Sequence, residues 1–308
     1  MSVRLGTDYL VMTMNNFKLN DVGVPPPTAR GSEAPISDME LRPSFEGQMI
    51  YGDNFSTEQI KQWFVDEEEG YANLGAKNHA TYRYRYHAMN NAHGYGLLPT
   101  GRRFPRAMGF GSAYGDELLP VLDRVDYVTI VDPSDSFVQS KLGGKPARWV
   151  KPDPSGTLPF DDATFDLITC FGVLHHIPNV SHVLSEFCRV LTPGGIALVR
   201  EPIVSMGDWR RPRRGLTARE RGLPLAPFRE AIATSGLKER TFRLIGFGPM
   251  LWFLGKFNYN PYNNAPLTWL DRLLAESSVA NYRYHCYQGG FTERIRPTSA
   301  FTVLERPS

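Results

Sequence analysis

From about Phe104 onward, apolar runs of strand length alternate with amphipathic stretches. "FPRAMGF" and "YVTIVDP" are separated by "DELLPVLDRV", whose apolar positions recur at helical spacing. "ARWVKPD" and "FDLITCFG" read as a third and a fourth strand. An amphipathic helix "VSHVLSEFCRVL", a "TPGG" turn and a fifth strand "IALVREP" follow. Strands and helices alternating at this spacing predict a parallel, doubly wound α/β sheet with right-handed crossovers. "LAPFREAIATSGLKER" predicts another helix ending at Gly236, and "RTFRLIGFG" and "SAFTVLERP" two more strands. Between those two strands, at about 247–299, lies an aromatic-rich excursion with one helical stretch near Leu267 to Ala275.

Ahead of the sheet the period is different. Ser56 and Gln59 have capping-box spacing, and Ile60, Trp63 and Phe64 make a helical stripe. "NHATYRYRYHAMNNAHGYGLL" is expected to form a second helix, with Tyr82 and Tyr86 on one face. The Pro-rich start has no sustained period and reads as an extended arm. The expected organisation is therefore an arm at 1–45, a helical cap at 46–103 and a core at 104–205. The rest of the sheet occupies 206–308, with a basic loop "MGDWRRPRRGLTARERG" and the aromatic insertion.

Composition narrows the class. The chain has 308 residues, 42% hydrophobic and 21% charged, as in an ordinary soluble protein. A net charge of +2 gives no reason to expect a nucleic-acid partner. No run approaches the ~18 apolar residues of a spanning helix. Cys170, Cys188 and Cys286 have no CxxC spacing, and no secretion signal is evident, so a reducing, cytoplasmic setting is expected. The arm and the aromatic excursion leave a homodimer open.

"GFGSAYG" lies where the first strand turns into the first helix, and its glycines let backbone approach a ligand. Asp132 ends the second strand about twenty residues later, where a carboxylate can accept from both ribose hydroxyls. Loop and Asp together favour an adenosine-type ligand. "PFDDATFDLITCFGVLHHIPN" adds paired histidines, His175 and His176, directly after the fourth strand. They either close a ligand site or begin a helix; adjacent histidines with no spaced carboxylate or Cys give no expected metal site.

Joined to "VSHVLSEFCRVLTPGGIALVREP", this stretch resembles the class I S-adenosylmethionine-dependent methyltransferases over roughly residues 104–202. The resemblance implies a Rossmann-like, mostly parallel seven-stranded sheet whose last strand, "AFTVLERP", is antiparallel. It implies S-adenosylmethionine as cofactor, cradled by Gly109, Phe110 and Gly111, with Asp132 on the ribose, Asp153 near the adenine, and Phe171 and Gly172 beside the sulfonium. The family's acidic residue before the first glycine is here Ala107, and its third close glycine is Ala113. The second histidine of such a pair, His176, is the candidate general base, since neutral imidazole suits proton removal from a hydroxyl near pH 7. Tyr82, Tyr86, Trp252, Tyr284 and His285 are the candidates for an acceptor pocket. The expected activity is methylation of a small molecule, with O-methylation of a sugar, glycolipid precursor or natural product preferred. The alternatives are a nicotinamide oxidoreductase, for which no Tyr-x-x-x-Lys follows the fourth strand, and a non-catalytic binding protein with a degenerate fold.

Overall fold

The computed structural model describes residues 38–77, 79, 82–209, 213, 215–285 and 292–308; most of the expected arm lies outside them. Helices α1 (Asp38–Phe45), α2 (Thr57–Glu67) and α3 (His87–His93) precede the sheet. The sheet is built from β1 (Arg106–Phe110), β2 (Tyr127–Val131), β3 (Lys141–Leu142), β4 (Lys145–Val150) and β5 (Phe165–Phe171). It continues through α4 (Val180–Val190), β6 (Leu191–Pro202), α5 (Leu225–Thr234) and β7 (Lys238–Phe247). The chain then forms α6 (Gly248–Gly255), α7 (Ala265–Ser277) and β8 (Pro297–Glu305).

The strand order is β3-β4-β2-β1-β5-β6-β8-β7. The run from β4 to β6 is parallel, and β8 lies antiparallel between β6 and β7. The fold is the expected mostly parallel Rossmann-like one, with eight strands rather than seven. The extra strand is two-residue β3, hairpinned onto β4 through Gly143 and Gly144, both at positive φ. The expected "TPGG" turn is a bulge inside β6: Phe165 faces Leu191, yet Leu167 faces Ile196. Alternation along β5 sends Ile168 and Cys170 to the core under α4 and α5. Leu167 and Phe171 go to the opposite core with Leu118, Met89 and Phe301.

Two expected helices differ. "DELLPVLDR" winds as a 3₁₀ segment, Asp116–Arg124, because Pro120 in its middle has no amide to give an α-helical ladder. Residues 82–86 form a strap without regular secondary structure rather than part of a helix, and α3 begins only at His87. Tyr82 packs with Ala113, Tyr114 and Phe137, and Tyr86 against Tyr262 and Arg200, so the two sit on a non-helical strap instead of one helical face. The capping box at Ser56 and Gln59 is present as expected. No described helix is long and apolar enough to cross a membrane.

Candidate active site

A cavity of ≈350 Å³ opens at the carboxyl ends of β1, β2, β5 and β6, within the size range of small-molecule sites. Phe110, Gly111, Asp132, Asp153, Phe171, Gly172, Tyr82, Tyr86 and His176 all line it. Gly109 sits one layer below. A Cβ there would lie 2.3 Å from Ser112 Oγ, and one on Gly111, at φ +63°, would lie 2.3 Å from Val173 Cγ1. These glycines let the loop fold tightly against β2 and the turn after β5. Ser112 Oγ is buried on this loop without a partner among the described residues, which is a polar group left for a ligand.

Asp132 fixes the other side of the loop. Its Oδ2 accepts from Ala113 N at 2.9 Å and its Oδ1 from Ser134 N at 3.1 Å. Burial raises its pKa to about 6, against the pull of those two amides. Ala113 holds φ +50°, so the backbone turn that the missing glycine would favour is retained at some strain. Asp153 stands exposed at the rim, Oδ1 accepting from Ser155 N at 2.8 Å. A carboxylate at the strand end, a Gly-rich cradle, an orphan hydroxyl and a cavity of this size fit an adenosyl ligand.

The strand ends abruptly at the histidines because a carboxylate from the neighbouring strand captures the turn. Glu201, at the end of β6, accepts from Val173 N and Leu174 N on Oε1, and from His175 N and Nδ1 on Oε2. Arg221, fully buried, braces the same turn by donating to the carbonyls of Leu174, His175, Ile177 and Pro178. His175 is clamped, with Nδ1 2.7 Å from Glu201 and Nε2 3.4 Å from Glu220. Burial pushes its pKa down, but the two carboxylates outweigh that and raise it to about 9.

His176 is placed differently. Its Nδ1 lies 2.9 Å from Glu67 Oε2 and 3.1 Å from Thr217 Oγ, and its carbonyl accepts from Trp63 Nε1 at 2.6 Å. The network assigns the proton to Nδ1, leaving Nε2 with no partner among the described residues. Glu67 and Trp63 both belong to α2, so the helical cap supplies the group that orients the histidine.

The far wall is the Tyr82–Tyr86 strap. The insertion braces it from behind: Asn260 Nδ2 donates to Arg85 O, Asn263 Oδ1 accepts from His87 N, and Tyr262 stacks on Tyr86 at 5.8 Å. Trp252, Tyr284 and His285 do not line the cavity. Trp252 carries Lys256 over its ring, Tyr284 is buried with its hydroxyl on Gly222 O, and His285 Nδ1 lies 2.6 Å from Ser205 Oγ. Of the insertion's aromatics, Tyr262 packs behind the strap, whereas Phe253, Phe257, Tyr259 and Trp269 are exposed.

No metal site is expected from residue spacing, but the fold brings one ligand atom each of His175, His176 and Glu220 within 4.8 Å of one another. Adjacent histidines converge because both sit on a single 3₁₀ turn, Leu174–His176, facing a Glu from a distant loop. Carboxylates already engage both ring nitrogens of His175. Glu67, Glu117, Arg200, Glu201 and Glu220 were not singled out in the sequence. Glu201 carried the clearest signal, a charged residue closing an apolar strand; Glu220 was hidden in a basic stretch that read as solvated loop.

A family model described as a methyltransferase domain matches residues 108–199. A probable S-adenosylmethionine-dependent methyltransferase of Mycolicibacterium smegmatis is 31% identical over 94 residues, 30% of this chain and 36% of that relative. This chain thus spans little more than a third of that relative's length. A demethylmenaquinone methyltransferase of Roseiflexus castenholzii is 26% identical over 172 residues, 46% of this chain and 72% of that protein. The crystal structure of the [4+2]-cyclase SpnF superposes with a TM-score of 0.52 at 15% identity, covering 84% of this chain and 99% of that one. That likeness concerns the fold alone. The matched segment, residues 108–199, contains the Gly loop, Asp132 and the histidine turn, and over it the chain matches a methyltransferase domain.

Proposed function

We propose that this chain methylates a hydroxyl oxygen of a small-molecule acceptor, with His176 as the proton acceptor. The observation that carries the reading is the Glu67–His176 pair on the wall of the cavity that also contains Asp132 and the Gly loop. Gly109, Phe110, Gly111, Asp132, Asp153, Phe171 and Gly172 would hold S-adenosylmethionine, which supplies a methyl group activated by its sulfonium. Asp132 has lone pairs left for two ribose hydroxyls beyond the amides it already accepts from.

The chain's own residues then position, dehydrate and deprotonate. Glu67 keeps the proton of His176 on Nδ1, so that Nε2 can take the acceptor's hydroxyl proton, a contribution of roughly 10²–10⁴-fold. His175, charged between two carboxylates, is unsuited to that task and instead holds the turn. Tyr82 and Tyr86 offer faces on which a sugar or a flat natural product can stack, and Trp63 closes the His176 side against water. Aligning acceptor and methyl in such a site is worth several kcal/mol by itself.

The test is incubation of the purified chain with methyl-labelled S-adenosylmethionine and a small-molecule extract, followed by mass spectrometry. Label is expected on hydroxyl-bearing products. His176→Gln should lower turnover by roughly 10²–10⁴-fold while cofactor binding stays unchanged. Cofactor binding without transfer to any product would favour a non-catalytic domain, and full turnover by His176→Gln would remove the base.

A further inference from the structure

Two buried groups of opposite charge face the cavity without touching each other. Glu117 is 3% exposed; its Oε1 accepts from Thr169 Oγ at 2.5 Å, and Oε2 has no partner among the described residues. Arg200 is 7% exposed, its guanidinium 4.1 Å from the Tyr86 ring centroid and 5.4 Å from that of Phe171. Its Nη1 donates to Asn90 Oδ1 at 3.2 Å and lies 3.7 Å from Met89 Sδ, yet no carboxylate among the described residues is within 4.0 Å of it. Buried charges are ordinarily paired, because leaving one uncompensated is costly. Here both are kept apart in one wall.

The sheet register explains the arrangement. Gly109 pairs with Thr169 and Phe171 with Arg200, so Ala107, Gly109, Thr169, Phe171 and Arg200 all point to one face. The 3₁₀ segment that carries Glu117 packs on that face through Leu118, in the same cluster as Ala107. Ala107 is fully buried and small, which leaves room for the Glu117 side chain beneath the Gly loop. Burial raises the Glu117 pKa to about 7, with Thr169 and Arg200 pulling the other way, as expected of a carboxylate lacking a close cation.

We propose that Glu117 and Arg200 form a zwitterion clamp for the methionyl end of S-adenosylmethionine, with Glu117 accepting from its α-ammonium and Arg200 donating to its α-carboxylate. The inference rests on the cofactor reading above and adds which residues of this chain recognise the amino-acid tail. An ammonium and a carboxylate on one carbon are a ligand that satisfies two fixed, separated, opposite charges together. It also accounts for Ala107: the carboxylate is supplied from the turn after the loop instead of from the strand.

Calorimetric titration of three ligands into the full chain and its variants tests this. The ligands are S-adenosylmethionine, its decarboxylated form, which keeps the amine, and 5′-methylthioadenosine, which lacks the whole tail. Glu117→Gln should weaken the first two by on the order of 10–100-fold, and Arg200→Gln the first alone. Neither should change methylthioadenosine binding by more than about 3-fold, which also reports that the fold is intact. Ala107→Asp in the Glu117→Gln background should regain part of the lost affinity. Equal weakening of all three ligands, or no weakening of S-adenosylmethionine, overturns the clamp. A wild-type chain that binds neither S-adenosylmethionine nor methylthioadenosine overturns the cofactor reading together with the clamp. Binding of both, with an unpatterned response to the variants, overturns the clamp alone.

Discussion

Replacing Glu220 by Gln separates the two histidines by their charge. His175 faces Glu201 and Glu220, lies tilted against His176 with ring centroids 4.1 Å apart, and has Arg221 on its carbonyl. Its pKa rises from 6.5 to about 9, a shift of 9 − 6.5 = 2.5. At about 1.4 kcal/mol per unit this is roughly 3 kcal/mol of linkage at most. Glu220 is lowered to about 2 against burial, first by His176 and then by His175 and the Thr217 amide, so its shift belongs to the whole cluster and is not added to that of His175. The sign follows from the raised pKa: the stabilisation is complete below pH 6.5 and is lost as pH climbs through about 9. Glu220→Gln should therefore cost about 2–3 kcal/mol in urea unfolding at pH 6.5, with the gap to wild type closing by pH 9.5. Absence of a gap at pH 6.5 would mean that His175 is already neutral there. It would then compete with His176 as the base, and the division of labour proposed above would fail.

Four further outcomes follow from the site. Asp132→Asn should weaken S-adenosylmethionine binding by on the order of 10–100-fold by calorimetry. In wild type, affinity should fall as pH drops through about 6, where the buried carboxyl, with Glu69 as its charged neighbour, takes up a proton and ceases to accept from the ribose. Ala113→Gly should raise stability by on the order of 1 kcal/mol, opposite to the usual Ala-to-Gly loss, because Ala113 sits at φ +50°; a drop in Tm would refute the strain argument. Exhaustive chelation should leave turnover unchanged, since carboxylates occupy both ring nitrogens of His175; loss of activity restored by one divalent cation would make His175, His176 and Glu220 ligands instead.

What was legible in the sequence was local. The Gly loop, Asp132, the five parallel strands and the histidine turn each show as a short pattern whose physical cause lies within a few residues. The strap at 82–86 was misread because Tyr82 and Tyr86 satisfy i,i+4 spacing as well as period two, and only contact with Asn260 and Asn263 decides between them. Glu67, Glu117 and Glu220 were illegible for a different reason. Each is a charged residue on an apparently solvated segment, and its burial depends on what packs over it. Trp252, Tyr284 and His285 stand away from the cavity for a similar reason: aromatic content does not say which side of the strap it covers.

The end of β6 shows how one strand can equip both sides of such a site. Arg200 and Glu201 are consecutive, so the pleat sends them to opposite faces. Arg200 emerges beside Tyr86 and Phe171, on the face with Glu117 and Thr169; Glu201 emerges beneath the histidine turn. On β5, Thr169 and Phe171 go with the first face and Cys170 with the second. The charges suited to an amino-acid tail thus collect on one side of the strand ends and the imidazoles suited to a hydroxyl proton on the other, with the Gly loop and Gly172 between. A one-residue slip of β6 against β5 would exchange Arg200 and Glu201, leaving the turn without its cap and burying a cation under His175. The bulge at Thr192–Gly195 lies at the opposite end of β6, where the chain can absorb extra residues without disturbing that register.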